Sequence, residues 1–227
     1  MQHKMILTQG GRVHYWISRK ENAADCIVFT HGLTADHTMF DQQVSYFYGN
    51  YTIILWDVPM HGLSRPYQSF SYHNTAEILH NILRQENIEK IFLVGMSMGG
   101  YSSQHFASIY PDMVKGFIAL DTTPLGLIYY SKSDLWWLKQ VVPMAEYFPA
   151  HILKVSIAWS VSKRKYSFQK MMSMLEPLSK ADIIDQMRVA YEYFPMENKD
   201  IDFQFPILIL VGKKDSTGKV KTYCREW

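Results

Sequence analysis

Two cysteines in 227 residues are too few for a disulfide framework. Cys26 falls in an apolar, strand-like run and Cys224 lies near the end of the sequence, a usage that points to reduced thiols in a cytoplasmic protein. Net charge is scarce as well: 23 Lys and Arg stand against 21 Asp and Glu, a formal +2. That balance implies neither nucleic acid nor a membrane as partner, and the one cationic cluster, Lys163-Arg164-Lys165, reads as a solvated helix face. Long hydrophobic runs are missing. Stretches such as Ile207 to Val211 are far too short to span a bilayer, and Met1-Gln2-His3-Lys4 does not open a secretory signal. There is no internal repeat, low-complexity segment, metal cluster, phosphate loop or dinucleotide fingerprint, so no metal and no cofactor is expected. What remains is ordinary globular material: 48% hydrophobic and 19% charged, enough for one large α/β core with an insertion.

Two strands open the chain, Lys4 to Thr8 and Val13 to Ser18, turning through Gly10-Gly11 as a hairpin at a sheet edge. Then the pattern changes. Cys26 to Thr30, Thr52 to Trp56, Ile91 to Val94, Gly116 to Leu120 and Ile207 to Val211 are continuous apolar runs, as parallel strands covered on both faces require. Helical segments lie between them. One is capped at Ser71 or Asn74, with Glu77 completing a box after Asn74 and Ala76, Leu79, Ile82 and Leu83 on its apolar face. Another follows Ser97, turns Tyr101, Phe106 and Ile109 inward, and stops at Tyr110-Pro111. The rhythm breaks from about Leu125 to Asp200, a stretch of short helical patterns punctuated by prolines at 143, 149, 177 and 195. The expected organisation is a core over 1–124, a helical cap over 125–200 and a second core segment over 201–227.

Ser97 carries the chemical signal. It stands in Gly95-Met96-Ser97-Met98-Gly99-Gly100, directly after a buried strand and directly before a helix. A serine between glycines on such a turn is a nucleophile elbow. In that geometry the N–H of the following residue, Met98, is one oxyanion donor, and the second comes from the loop after Cys26 to Thr30. Leu33 is the candidate there, because Gly32 lets the backbone approach closely.

The strand ending in His31-Gly32, the loop Asp57-Val58-Pro59-Met60-His61-Gly62-Leu63-Ser64, the elbow, Leu120-Asp121-Thr122-Thr123-Pro124 and Gly212-Lys213-Lys214-Asp215 occur in this order. Together they resemble the α/β-hydrolase superfamily, in its capped, cofactor-free serine hydrolase branch. The resemblance implies a mostly parallel, doubly covered sheet with an inserted cap. It implies an acyl-enzyme at Ser97 and cleavage of a small, largely apolar carboxylic ester. Asp215 matches the usual triad acid, with Asp121 as the alternative; Asp57 and His61 brace their loop. Trp136, Trp137, Tyr129 and Met171 are candidates for the acyl pocket or for cap core.

The triad histidine of that family follows the acid, and here no histidine lies beyond His151. His105 reads as a satisfied core residue, His31 as a loop residue and His151 as part of the cap. Val220, Tyr223, Cys224 and Trp227 repeat at helical spacing up to the last residue. The expectation is a chain cut short of a helix end, a last strand, the histidine loop and a final helix, crippled in turnover and prone to self-association through an exposed sheet edge. The alternatives are a non-catalytic scaffold that keeps the pocket, or carbon–carbon bond hydrolysis or haloperoxidase-like chemistry on the same residues.

Overall fold

The structure, a computed structural model, describes residues 1–21 and 25–227. The hairpin forms as expected: β1 (Gln2–Leu7) pairs antiparallel with β2 (Arg12–Ser18), turning through a Thr8–Gly11 hydrogen-bonded loop. Then come β3 (Cys26–Thr30), α1 (Asp41–Phe47), β4 (Thr52–Trp56), α2 (Tyr72–Gln85), β5 (Ile91–Met96), α3 (Met98–Ile109) and β6 (Val114–Leu120). Five helices follow: α4 (Lys132–Glu146), α5 (Ala150–Val161), α6 (Lys165–Leu175), α7 (Lys180–Arg188) and α8 (Phe194–Glu197). The sheet resumes with β7 (Ile207–Leu210), and α9 (Val220–Glu226) packs after it. The strand order is β1-β2-β4-β3-β5-β6-β7; β2 is antiparallel to both neighbours and every pair from β4 to β7 is parallel.

Why the middle strands read as unbroken apolar runs is plain in the packing. In β3, Cys26 and Val28 face the cluster built with α2 and α3, whereas Ile27 and Phe29 face a second cluster with Phe40 and the α1 side. Both faces are dry, so period-two alternation disappears. The helices from α4 to α7 enclose a third cluster of their own, with Leu153, Met171, Met174, Leu175 and Ile183 buried.

The structure decides one local expectation and departs from two others. Ser71, not Asn74, caps α2 by accepting from the Asn74 N–H, and Glu77 takes the Tyr110 hydroxyl at 2.7 Å instead of closing a box. The first N–H groups of α2 are also held by the Glu197 carboxylate from α8, 125 residues away, at 2.9 and 3.1 Å. Pro143 lies inside α4 and does not end it. The third concerns β7. Its Ile207 and Ile209 pack on the main core, but Leu208 and Leu210 are 54% and 48% exposed, so one face of this end strand is open among the described residues. An apolar strand with a free edge templates pairing with another chain. Light scattering is expected to show concentration-dependent self-association that Leu208→Lys with Leu210→Lys suppresses; a monomer at every concentration would refute it.

Candidate active site

The carboxyl ends of the parallel strands carry a concentration of strained backbone. Thr34, Met60, Ser97 and Asp121, which follow β3, β4, β5 and β6, all have positive φ (57°, 70°, 50° and 42°) without being glycine. Each such residue costs about 1–3 kcal/mol and persists only where its surroundings over-determine it, which is the habit of functional sites. Ser97 is the sharpest case, with φ 50° and ψ −120° between the last residue of β5 and the first of α3. Its N–H donates to Leu120 O at 2.9 Å, and its carbonyl accepts from Gly100 N–H at 2.8 Å and from the Thr122 hydroxyl at 2.7 Å. These bonds fix the turn from three sides.

The glycines of the elbow are required by contact. A Cβ on Gly99 would sit 2.3 Å from Thr30 O and 2.4 Å from His31 O, so α3 can start against the end of β3 only without a side chain there. Gly99→Ala is therefore expected to cost about 3 kcal/mol, because backbone on both sides has to move. Urea unfolding that finds the variant within 1 kcal/mol of the parent, on the order of a surface change, would remove this reading.

Ser97 opens into a cavity of about 530 Å³. Leu33 and Met98, the expected oxyanion donors, line it with Ser97. The rest of the wall is mainly apolar: Tyr101 from α3, Trp137, Leu138 and Val141 from α4, and Phe194 from α8. Trp136 points to solvent, Met171 is buried among helices α4 to α7, and Tyr129 packs against the main core, so of those four only Trp137 reaches the cavity. A larger groove of about 1010 Å³ between β1 and α2 holds none of the candidate residues.

Asp121 and Asp215 come together instead of competing for separate places. The Gly212 N–H donates to Asp121 Oδ1 at 2.6 Å, and a Cβ on Gly212 would lie 3.5 Å from Asp121 Oδ2 and 3.6 Å from Asp215 Cβ. Asp121 reaches the Ser97 cavity and Asp215 does not line it. Burial raises the Asp121 pKa, and the facing Asp215 carboxylate adds to the rise. Cys224 lies alongside, its thiol donating to Thr122 O at 3.0 Å; burial and the two carboxylates push its pKa up to about 11.

Among the described residues, no histidine lines the cavity. His31 is spent on structure: its Nδ1–H donates to Gly32 O at 2.8 Å while Nε2 accepts from Val58 N–H at 3.0 Å, locking the loops after β3 and β4 together. His61 is wholly buried beside it, ring centres 5.2 Å apart, with Nδ1 on Pro59 O. Asp57, fully buried, accepts from His37 N–H, His37 Nδ1 and Leu63 N–H at 2.8, 2.9 and 2.6 Å. Burial alone would raise its pKa, but these donors and the neighbouring histidines hold it below the usual carboxylate range. His105 is buried and stacked on Tyr72, yet its Nε2 has no partner among the described residues, so it is not the satisfied histidine that its helix face implies.

Several wall residues gave no sequence signal. The Asp134 carboxylate receives Lys219 Nζ at 2.6 Å, and both side chains line the cavity, tying α4 to the segment before α9 across it. The same carboxylate closes a capping box with Ser131, a pattern readable in principle as Ser-x-x-Asp. A π-helical turn over Val189–Tyr193 carries Ala190 and Tyr191 onto the wall, a distortion that only tertiary packing reveals. Thr123 is fixed by the hydroxyls of Tyr101 and Tyr130 at 2.9 and 2.6 Å.

Comparison with known proteins meets this geometry from outside. Residues 25–149 match the family described as alpha/beta hydrolase fold. The chain is similar to the 3-oxoadipate enol-lactonase 1 of Acinetobacter baylyi, 34% identical over 103 residues, which cover 44% of this chain and 38% of that protein. Such matches span well under half the length of the curated relatives. Among solved structures, a hydrolase from Pseudomonas aeruginosa superposes with TM-score 0.76 at 12% identity over 97% of this chain and 84% of that one. A thermophilic esterase from Thermogutta terrifontis superposes with TM-score 0.72 at 19% identity over 99% and 86%. With the strand order, the strained serine turn and the sequence match over more than half its length all in agreement, this chain belongs to the alpha/beta hydrolase family.

Proposed function

We propose that the protein is a serine hydrolase of small, largely apolar carboxylic esters. The observation that carries the reading is Ser97 itself, held at φ 50° on the sheet's carboxyl edge and opening into an apolar cavity beside Leu33 and Met98. In this reading Ser97 Oγ bonds to the ester carbonyl carbon, and the N–H groups of Met98 and Leu33 receive the oxygen as it gains charge. The C–O bond to the alcohol breaks, the alcohol leaves with a proton, and water then frees the acid from Ser97. Asp215 orients the base that carries the proton, with Asp121 beside it at the cavity wall. The relatives support a hydrolase of this type through their printed names, an enol-lactonase and an esterase.

The base is the open place. All nine histidines stand at or before His151, and none lines the cavity among the described residues. That observation favours a second reading, a pocket kept for ligand binding without turnover. A fluorophosphonate probe separates the two, with imidazole supplied as an external base. Labelling mapped to Ser97 and absent in Ser97→Ala supports the hydrolase; no labelling in either protein supports the binding role.

A further inference from the structure

The helices of the insertion carry an apolar surface that the cavity does not use. More than half of the exposed large hydrophobic side chains among the described residues fall between residues 127 and 166. On α4, Trp136 and Trp137 are 54% and 59% exposed and stand edge to face; the chain then leaves the helix through Tyr147 and Phe148, both exposed. In α5, Leu153 and Ala158 are buried within the insertion, whereas Ile152, Val155 and Trp159, at spacings of three and four, face outward. Both stripes of α5 are apolar, and only one is covered. Exposed aromatic and aliphatic groups concentrated to this degree in one segment mark a surface on which something docks.

Charge identifies the occupant. The stretch from Ser131 to Tyr166 holds six Lys and Arg against two acidic residues, although the whole chain nets only +2. Both acids are engaged, Asp134 by Lys219 and Glu146 by Arg188. Lys132, Lys139, Arg164 and Lys165 have no acidic partner among the described residues, and Lys163-Arg164-Lys165 stand exposed directly after α5. A second copy of the chain would oppose like charges across this face. Exposed tryptophan, tyrosine and phenylalanine interspersed along one stretch with lysine and arginine suit instead the boundary between anionic headgroups and acyl chains.

We infer that the α4–α5 face, with the cationic run that follows it, docks on an anionic lipid surface. This departs from the expectation drawn from net charge, because a small net charge says nothing of how the charges are grouped. Docking would also serve the cavity: Trp137 and Met144 belong at once to its wall and to the exposed face, so an ester dissolved in the lipid would meet the entrance directly. The inference stands on the surface alone and holds whether or not Ser97 turns over.

The test is co-sedimentation of the full chain with vesicles of phosphatidylcholine containing phosphatidylglycerol, against phosphatidylcholine alone, with light scattering of the protein in parallel. Binding to the anionic vesicles is expected, with a blue shift of the tryptophan emission, and at least about ten-fold weaker binding to the neutral ones. Trp136→Ser with Trp159→Ser, and separately Lys163→Glu with Arg164→Glu and Lys165→Glu, are each expected to lower the bound fraction about ten-fold. Both sets change exposed side chains, so an unaltered far-UV spectrum certifies the fold. The proposal is overturned if the parent protein stays in the supernatant, if charge reversal leaves binding intact, or if light scattering shows a dimer that Trp136→Ser with Trp159→Ser dissolves.

Discussion

The 227-residue chain is expected to hydrolyse a short activated ester slowly, and added imidazole is expected to speed it in a way that requires Ser97. A serine hydroxyl attacks well only when a base takes its proton, and among the described residues no histidine lines the cavity into which Ser97 opens. His31 offers no substitute, since both of its ring nitrogens are already engaged. In subtilisin, loss of the histidine alone lowers turnover about a million-fold, or about 8 kcal/mol, and leaves only oxyanion and binding effects. A rate about a thousand- to ten-thousand-fold above water is the corresponding expectation here. Such groups act as a unit, so Ser97→Ala should change the imidazole-free rate little and abolish the imidazole-dependent part. If the unaided chain instead reaches about 10 turnovers per second, an ordinary enzyme rate, and Ser97→Ala destroys it, then the chain supplies its own base. His61 would be the first residue to replace.

Acidification should unfold the protein well above the range where carboxylates titrate. His31, His61 and His105 are buried, and burial is the first cause that lowers all three pKa values from 6.5; that of His61 falls to about 3 and that of His105 to about 4. The His31 charge acts in the same direction on His61, and Lys199 does so on His105. Because the folded values lie below the unfolded one, the unfolded chain takes up protons first as pH falls through 6.5. Stability is complete above that value and is lost until the folded pKa values are reached. His61 and His105 each contribute a slope of about 1.4 kcal/mol per pH unit, so the two together approach about 3 kcal/mol per unit, and His31 acts in the same direction. Against a total of about 5–15 kcal/mol, that removes most of the stability of a domain at the low end of this range by about pH 5. Asp57 acts in a separate window, since its lowered pKa removes stability only once pH falls below the usual carboxylate range. Urea midpoints measured from pH 7.5 to 4.5 test this, with His105→Phe expected to lower the slope by about 1.4 kcal/mol per pH unit. Midpoints that stay level down to pH 5 would mean that these rings are hydrated in the folded protein.

What the sequence determined by itself was whatever depends on neighbours along the chain. The continuous apolar runs located every strand from β3 to β7; in β3 and β4 both faces are buried, so no alternation survives there. The alternation of Val13, Tyr15 and Ile17 placed the edge hairpin, and the glycines around Ser97 placed the elbow, since the close approach of Gly99 to the end of β3 excludes any side chain. Tertiary structure decided what depends on residues far apart in sequence. Asp121 and Asp215 are alternatives on paper and neighbours in space, because β6 and β7 lie side by side and end together. The first turn of α2 is held by Glu197 from the far end of the insertion, a partner that local capping rules cannot reach. The cavity wall draws on α3, α4, α8 and a π-helical turn whose positions are set by packing rather than by propensity. Which side of α5 is left to solvent was equally invisible: apolar residues stand on both of its sides, and only the placement of its neighbours chooses between them.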